Sequence, residues 1–252
     1  MANDDRKAWQ RPGFIVAAAV IVLVLALGTT ALIRSMGQSE EDPTPTPTAT
    51  SSDPTTSPTT ADPTSVPPEG DASTCGLELV ELEGELSEAP ETTWDYVGVV
   101  ALPSAAGQGP GLTSADGLRT CYAHTPTGAV LSAANMVGQL ATPTTRGEAV
   151  RYFIAQGPGY ESAVSLTTGS DSSPSIDLQI TGFELLDYSG DEALVDVAVQ
   201  ATGNGITTYN SFRTPLIWQD GDWRQVPAAD GQPQYPPVQL PNTTDYIAWS
   251  AS

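Results

Sequence analysis

The chain has 252 residues, of which 30 are acidic and 9 basic, for a formal charge of −21. Beyond Ser35, five basic residues stand against 28 acidic ones, so this part repels phosphates and anionic lipid, which argues against nucleic-acid binding. A single histidine excludes a multi-histidine zinc site.

Residues 1–12 are too few to fold and carry Arg6, Lys7 and Arg11. Phe14 to Ile33 is an unbroken apolar run without charge or proline. As a helix, within a span placed at residues 13–34, it covers roughly 31 Å from Gly13 to Ile33, the thickness of a hydrocarbon core. No cysteine follows for lipid attachment and the small-residue site near Ala31 is a poor cleavage site. The reading is therefore a retained anchor rather than a cleaved secretory signal. The basic residues ahead of the span place the N-terminus in the cytoplasm and the rest outside, in a single-pass membrane topology with the bilayer as partner through residues 13–34.

Residues 35–73 are Thr, Pro, Ser and Asp in low-complexity repetition. Such a composition does not repay the entropy of ordering and is expected to form an extended stalk, with a contour of about 115 Å. Residues 74–228 are expected to form the extracytoplasmic domain and 229–252 a tail that either packs back or serves as a docking peptide. Cys75 and Cys121, both on the outer side, are expected to pair as a disulfide, since no Cys-x-x-Cys spacing is present.

Within the domain, Cys75 to Glu88 alternates only in part and is expected as a short edge segment. Trp94 to Leu102 reads as one strand or buried extended segment, and Ser104 to Gly117 as a plain loop. Thr125-Pro126-Thr127 offers a helix start, after which Val130, Leu131, Ala134, Val137 and Leu140 share one face. Thr145-Arg146-Gly147-Glu148 is expected as a capping box for a second helix, with Val150, Phe153 and Ile154 inward and Gly157-Pro158-Gly159 as its stop. The remainder is β. Ile176, Leu178 and Ile180 alternate, then Phe183 and Leu185, then Val195, Val197 and Val199. Turns fall at Ser189-Gly190-Asp191, Gly203-Asn204-Gly205 and Asp220-Gly221-Asp222, and Phe212, Leu216 and Trp218 share a face. The expected fold is α+β, helices packed on a curved antiparallel sheet of about four strands.

Chemistry is sparse. His124 has Tyr122 and Thr125 as its local partners, and no nucleophile–histidine–acid pattern accompanies it. Asp187, Asp191, Asp220 and Asp222 sit at hairpin tips, where turn geometry accounts for them, and their spacing is not that of an EF-hand. Asp196 lies between Val195 and Val197, and alternation turns it away from them. Trp94, Tyr122, His124, Phe153, Trp218 and Trp223 are the residues that would line a pocket between sheet and helices, with ordinary core burial as the competing reading. No catalytic residue, cofactor or metal is called.

Tyr188-Ser189-Gly190-Asp191-Glu192-Ala193-Leu194-Val195-Asp196-Val197 and Pro215-Leu216-Ile217-Trp218-Gln219-Asp220-Gly221-Asp222-Trp223-Arg224 resemble phrases of nuclear transport factor 2-like domains, which implies a cone-shaped fold. Through Cys121-Tyr122-Ala123-His124-Thr125-Pro126-Thr127-Gly128-Ala129-Val130 the chain resembles a group of uncharacterised actinobacterial single-pass membrane proteins. These are similar in layout to the scaffold subunits of conjugation and type IV secretion machines. The resemblance implies a non-enzymatic interaction or scaffold module with a protein partner in the cell envelope. The alternative is a small-molecule-binding or sensing domain that uses the cone interior. The oligomeric state stays open.

Overall fold

A computed structural model describes residues 72–168, 177–203 and 205–251. The expected cytoplasmic head, the span at 13–34 and all but the last two residues of the stalk lie outside the described residues, as do Ile176 and Asn204. Among the described residues no helix is long and apolar enough to cross a membrane.

Among the described residues the architecture is α+β, with three helices and antiparallel sheets. Cys75 to Glu88 runs along the surface, tied down where Val80 bridges His124 and where Cys75 is joined to Cys121, their Cα atoms 6.2 Å apart. The single strand expected over Trp94 to Leu102 is instead a hairpin of β1 (Thr93–Val97) and β2 (Val100–Ser104). Gly98, at φ +64°, reverses the chain where an L side chain would be strained. In the loop that follows, β3 (Leu112–Thr113) pairs with β4 (Arg119–Thr120).

Helix α1 (Pro126–Ala141) begins as its sequence directs, with Thr125 Oγ1 accepting the Gly128 N–H at 2.9 Å. It is enclosed far beyond one face, since every residue from Gly128 to Gln139 is buried. Helix α2 (Pro143–Phe153) corrects the expected capping box: Thr142 precedes it, Pro143 opens it, and Thr145 lies inside its first turn. Proline at N1 needs no N–H partner, and the cap falls at Thr142, three residues before Thr145. Thr145 Oγ1 instead donates to Gln139 O at 2.9 Å, binding α2 to the end of α1. Val150, Phe153 and Ile154 are buried as expected. Gly157 to Gly159 separates α2 from a third helix, α3 (Tyr160–Thr168), that the periodicity did not show.

The meander follows the expected turns as β5 (Asp177–Tyr188), β6 (Glu192–Gly203), β7 (Ile206–Gln219) and β8 (Asp222–Gln225). Register shifts in β5 at Ile180/Gly182 and Leu185/Asp187 bend the sheet. The row Phe183–Val197–Phe212 faces the helices, and its neighbour Glu184–Asp196–Arg213 faces the other side.

The sheet has six strands, two more than expected, because the stretch set apart as a tail joins it. β9 (Val238–Leu240) pairs with the far edge of β7, and β10 (Ile247–Ala248) pairs with the opposite edge of β5. The segment between them crosses the outer face of the sheet like a strap, and Trp249 turns round the β5 edge into the core at 4% exposure. Of the two alternatives for the tail, packing back on the domain is the one observed.

Candidate functional site

The Asp220–Gly221 turn, both residues at positive φ, has the backbone of a tight hairpin and makes Asp222 the first residue of β8. Asp222 is not a solvated turn aspartate; it is fully buried. Its Oδ2 accepts the Cys121 N–H at 2.8 Å and the Tyr152 hydroxyl at 2.6 Å. Its Oδ1 accepts the Tyr122 N–H at 3.0 Å and its neighbour Trp223 N–H at 2.9 Å. Burial pushes this carboxyl above the usual carboxylate range, opposed by the Tyr152 hydroxyl and the backbone N–H groups. Burial, and then the adjacent Asp222, push the Tyr152 hydroxyl up as well. Arg224 lies over the Tyr152 ring, 3.8 Å from its centroid, and donates to the Tyr152 carbonyl.

Against this anchor stand the aromatic residues singled out in the sequence. His124 stacks on Trp218 with centroids 4.0 Å apart and planes 4° off parallel. It meets Trp223 edge-on at 5.6 Å. His124 Nε2 is 3.1 Å from the Gly190 carbonyl and 3.9 Å from the exposed Asp191 carboxylate. Trp223 Nε1 donates to Ala123 O at 3.0 Å. Tyr122 and Phe153 pack 6.4 Å apart, and the Tyr122 hydroxyl donates to Arg119 O at 3.2 Å. Five of the six pocket candidates thus gather around Asp222. Tyr122, His124, Phe153 and Trp223 are wholly buried, packed on one another as core. Trp94 does not join them. It packs on Trp249 at 5.2 Å, near the hydrogen bond from Trp249 Nε1 to Thr92 Oγ1. A surface cleft of about 640 Å³ opens elsewhere, between Leu77, Thr92, Ser104, Ala106 and Pro110.

A second buried polar group escaped the reading of the sequence. Arg119, 4% exposed, donates through Nη1 to Leu102 O at 3.0 Å and through Nη2 to Pro103 O at 3.3 Å, and burial lowers its pKa. The Gln139 side chain bonds both the N–H and the carbonyl of Arg119, at 2.7 and 3.0 Å. Asn135 donates to Pro103 O at 2.9 Å, and Ser132 to Trp223 O at 3.3 Å. The signal was present: Ser132, Asn135 and Gln139 recur at i, i+3 and i+7 in an otherwise apolar helix, a polar stripe that a buried α1 must satisfy.

Among the described residues no group of three or more His, Cys, Asp or Glu could hold a metal ion. The arrangement is one of anchorage. The two bonds from Cys121 and Tyr122 to Asp222 and the pair to Gln139 clamp the segment from Arg119 to Tyr122 between α1 and β8. The disulfide ties the N-terminal edge of the domain to the same segment.

No curated protein and no solved structure matches this chain. A family model described as Domain of unknown function (DUF8175) matches residues 37–248, which is most of the chain. The clamped core, the meander and the strap's two strands, β9 and β10, fall within the matched residues, and the chain belongs to this family.

Proposed function

We propose that this chain is a single-span envelope protein, anchored through residues 13–34 with its N-terminus cytoplasmic. Its outer α+β domain is a non-enzymatic interaction or scaffold module, accessory to a conjugation or secretion assembly. The observation that carries this reading is how the domain uses its buried polar groups. Asp222, Arg119 and Gln139 bond backbone groups and hold chain segments together. Such a core suits a rigid platform that offers its surface to other proteins. The Cys75–Cys121 disulfide supports an oxidising compartment for the domain. Helices lying on a bent antiparallel sheet support the nuclear transport factor 2-like cone and the layout of secretion scaffold subunits.

The test is crosslinking of the full-length protein in its own cells, followed by membrane pull-down and identification of what is attached. Conjugation or secretion components should be recovered, and lost when residues 74–251 are deleted. Recovery of the protein alone would overturn the reading.

A further inference from the structure

The outer face of the sheet carries a charged row that the core does not use. Glu184, Asp196 and Arg213 are directly opposite one another on β5, β6 and β7. Asp196 is 1% exposed. Arg213 donates to it through Nε at 3.2 Å and Nη2 at 3.1 Å, but both bonds fall on Oδ2. Among the described residues no donor reaches Oδ1, which is buried. Arg213 thus pairs with Asp196, while Glu184 stands opposite Asp196, and like charges directly opposite in a ladder repel. A buried carboxylate oxygen is stabilised by a hydrogen-bond donor.

What covers this row is the strap, and the strap is ill matched to it. Residues 229–251 hold no lysine or arginine and bring two further acids, Asp230 and Asp245. Tyr235 lies beside Arg213, its ring centroid 5.9 Å from the guanidinium carbon. Tyr246 packs its Cβ over Gly182, and its hydroxyl is pushed up by burial, opposed by a hydrogen bond with Ser211 and reinforced by its hydrogen bond to the Asp196 carboxylate and by Glu184. The strap is held by few backbone pairs, three residues in β9 and two in β10. Most of its side chains are exposed until Trp249.

We propose that the outer face of the sheet is a docking site for an extended segment of a partner protein that bears a lysine or arginine, with the C-terminal strap as its intramolecular occupant. The partner's cation seats between Asp196 Oδ1 and Glu184, and its backbone takes up the pairing that β9 and β10 now make with the edges of β7 and β5. A basic segment is the occupant that the surplus negative charge selects, because the strap already supplies the backbone geometry and lacks only the positive side chain. This deepens the scaffold reading by naming the chemistry of the partner.

The test uses the full-length, detergent-solubilised protein and two labelled synthetic peptides: residues 229–251 as they stand, and the same peptide with Tyr246→Lys. The lysine peptide should bind at least about tenfold more tightly than the natural one, since an ion pair desolvated at such a site is worth 1.4 kcal/mol or more, a factor of ten. Glu184→Gln, at a half-buried position, should reduce that advantage severalfold while leaving the melting temperature near that of the parent. Asp196→Asn should abolish it. Equal binding of the two peptides, binding of neither, or a lysine advantage that survives both substitutions would overturn the proposal. The assay contains no envelope component, so its failure would leave the crosslinking result intact, and failure of the crosslinking would leave this site intact.

Discussion

Tyr152 and Asp222, 70 residues apart in the chain, meet through a 2.6 Å hydrogen bond inside the domain. The same carboxylate oxygen takes the backbone N–H of Cys121, so one side chain joins the end of α2, the disulfide segment and the first residue of β8. Removing it orphans buried donors at a cost of about 1–3 kcal/mol each. Asp222→Ala should therefore lose more than about 3 kcal/mol in urea unfolding at pH 7.

The pH dependence at this site has a definite sign. The folded carboxyl of Asp222 is raised above its unfolded value by burial. The proton-linked part of its contribution to stability is therefore fully present below the ordinary carboxylate pKa and is lost as pH rises through the raised one, leaving the part carried by its hydrogen bonds. The stability gap between the parent and Asp222→Asn should be wider near pH 4 than at pH 7. Urea titrations of both proteins across that range check it, and a gap that narrows in acid would contradict the assignment.

Cys75 and Cys121 close a loop with a sequence separation of 46. On chain entropy alone that bond contributes about 4 kcal/mol. Reduction, or Cys75→Ser, should lower the urea midpoint accordingly without changing the far-ultraviolet spectrum of the protein that remains folded.

Two helical glycines should respond to alanine with opposite signs. At Gly147 in α2 an added Cβ would meet only the Arg151 guanidinium, at 3.6 Å, so Gly147→Ala should stabilise by up to about 1 kcal/mol. At Gly128 in α1 the Cβ would stand 2.0 Å from the Ala123 carbonyl oxygen. The helix start must then shift, and Gly128→Ala should cost about 1–3 kcal/mol. Thermal melts of the two variants decide it.

Trp249 is the strap's one deeply buried side chain, with Phe183 at 5.1 Å and Trp94 at 5.2 Å. Trp249→Ala should cost about 3–5 kcal/mol. It should also raise hydrogen exchange at Gly182 and Phe183, where β10 pairs with β5. Unchanged exchange there would mean that the strap is held independently of its tryptophan.

What the sequence determined by itself was local. Alternation at Val195, Val197 and Val199 with turn residues at Ser189-Gly190-Asp191 and Asp220-Gly221 is enough to specify the meander, since strand period and turn chemistry act within a few residues. Thr125 ahead of Pro126 is enough to start α1. Alternation also turned Asp196 away from its valine neighbours, and β6 bears that out. Tertiary structure decided the rest. Asp222 has the turn setting of Asp220, yet it is buried because Cys121 and Tyr122, 101 and 100 residues away, aim their N–H groups at it. Residues 229–251 have too little periodicity to announce strands, and they become strands because β5 and β7 present open edges. Asp196 was legible as outward-facing, but its burial depends on the strap above it. A contact that closes a hundred-residue loop leaves no periodic trace in the sequence, because it is paid for by the packing of the whole domain.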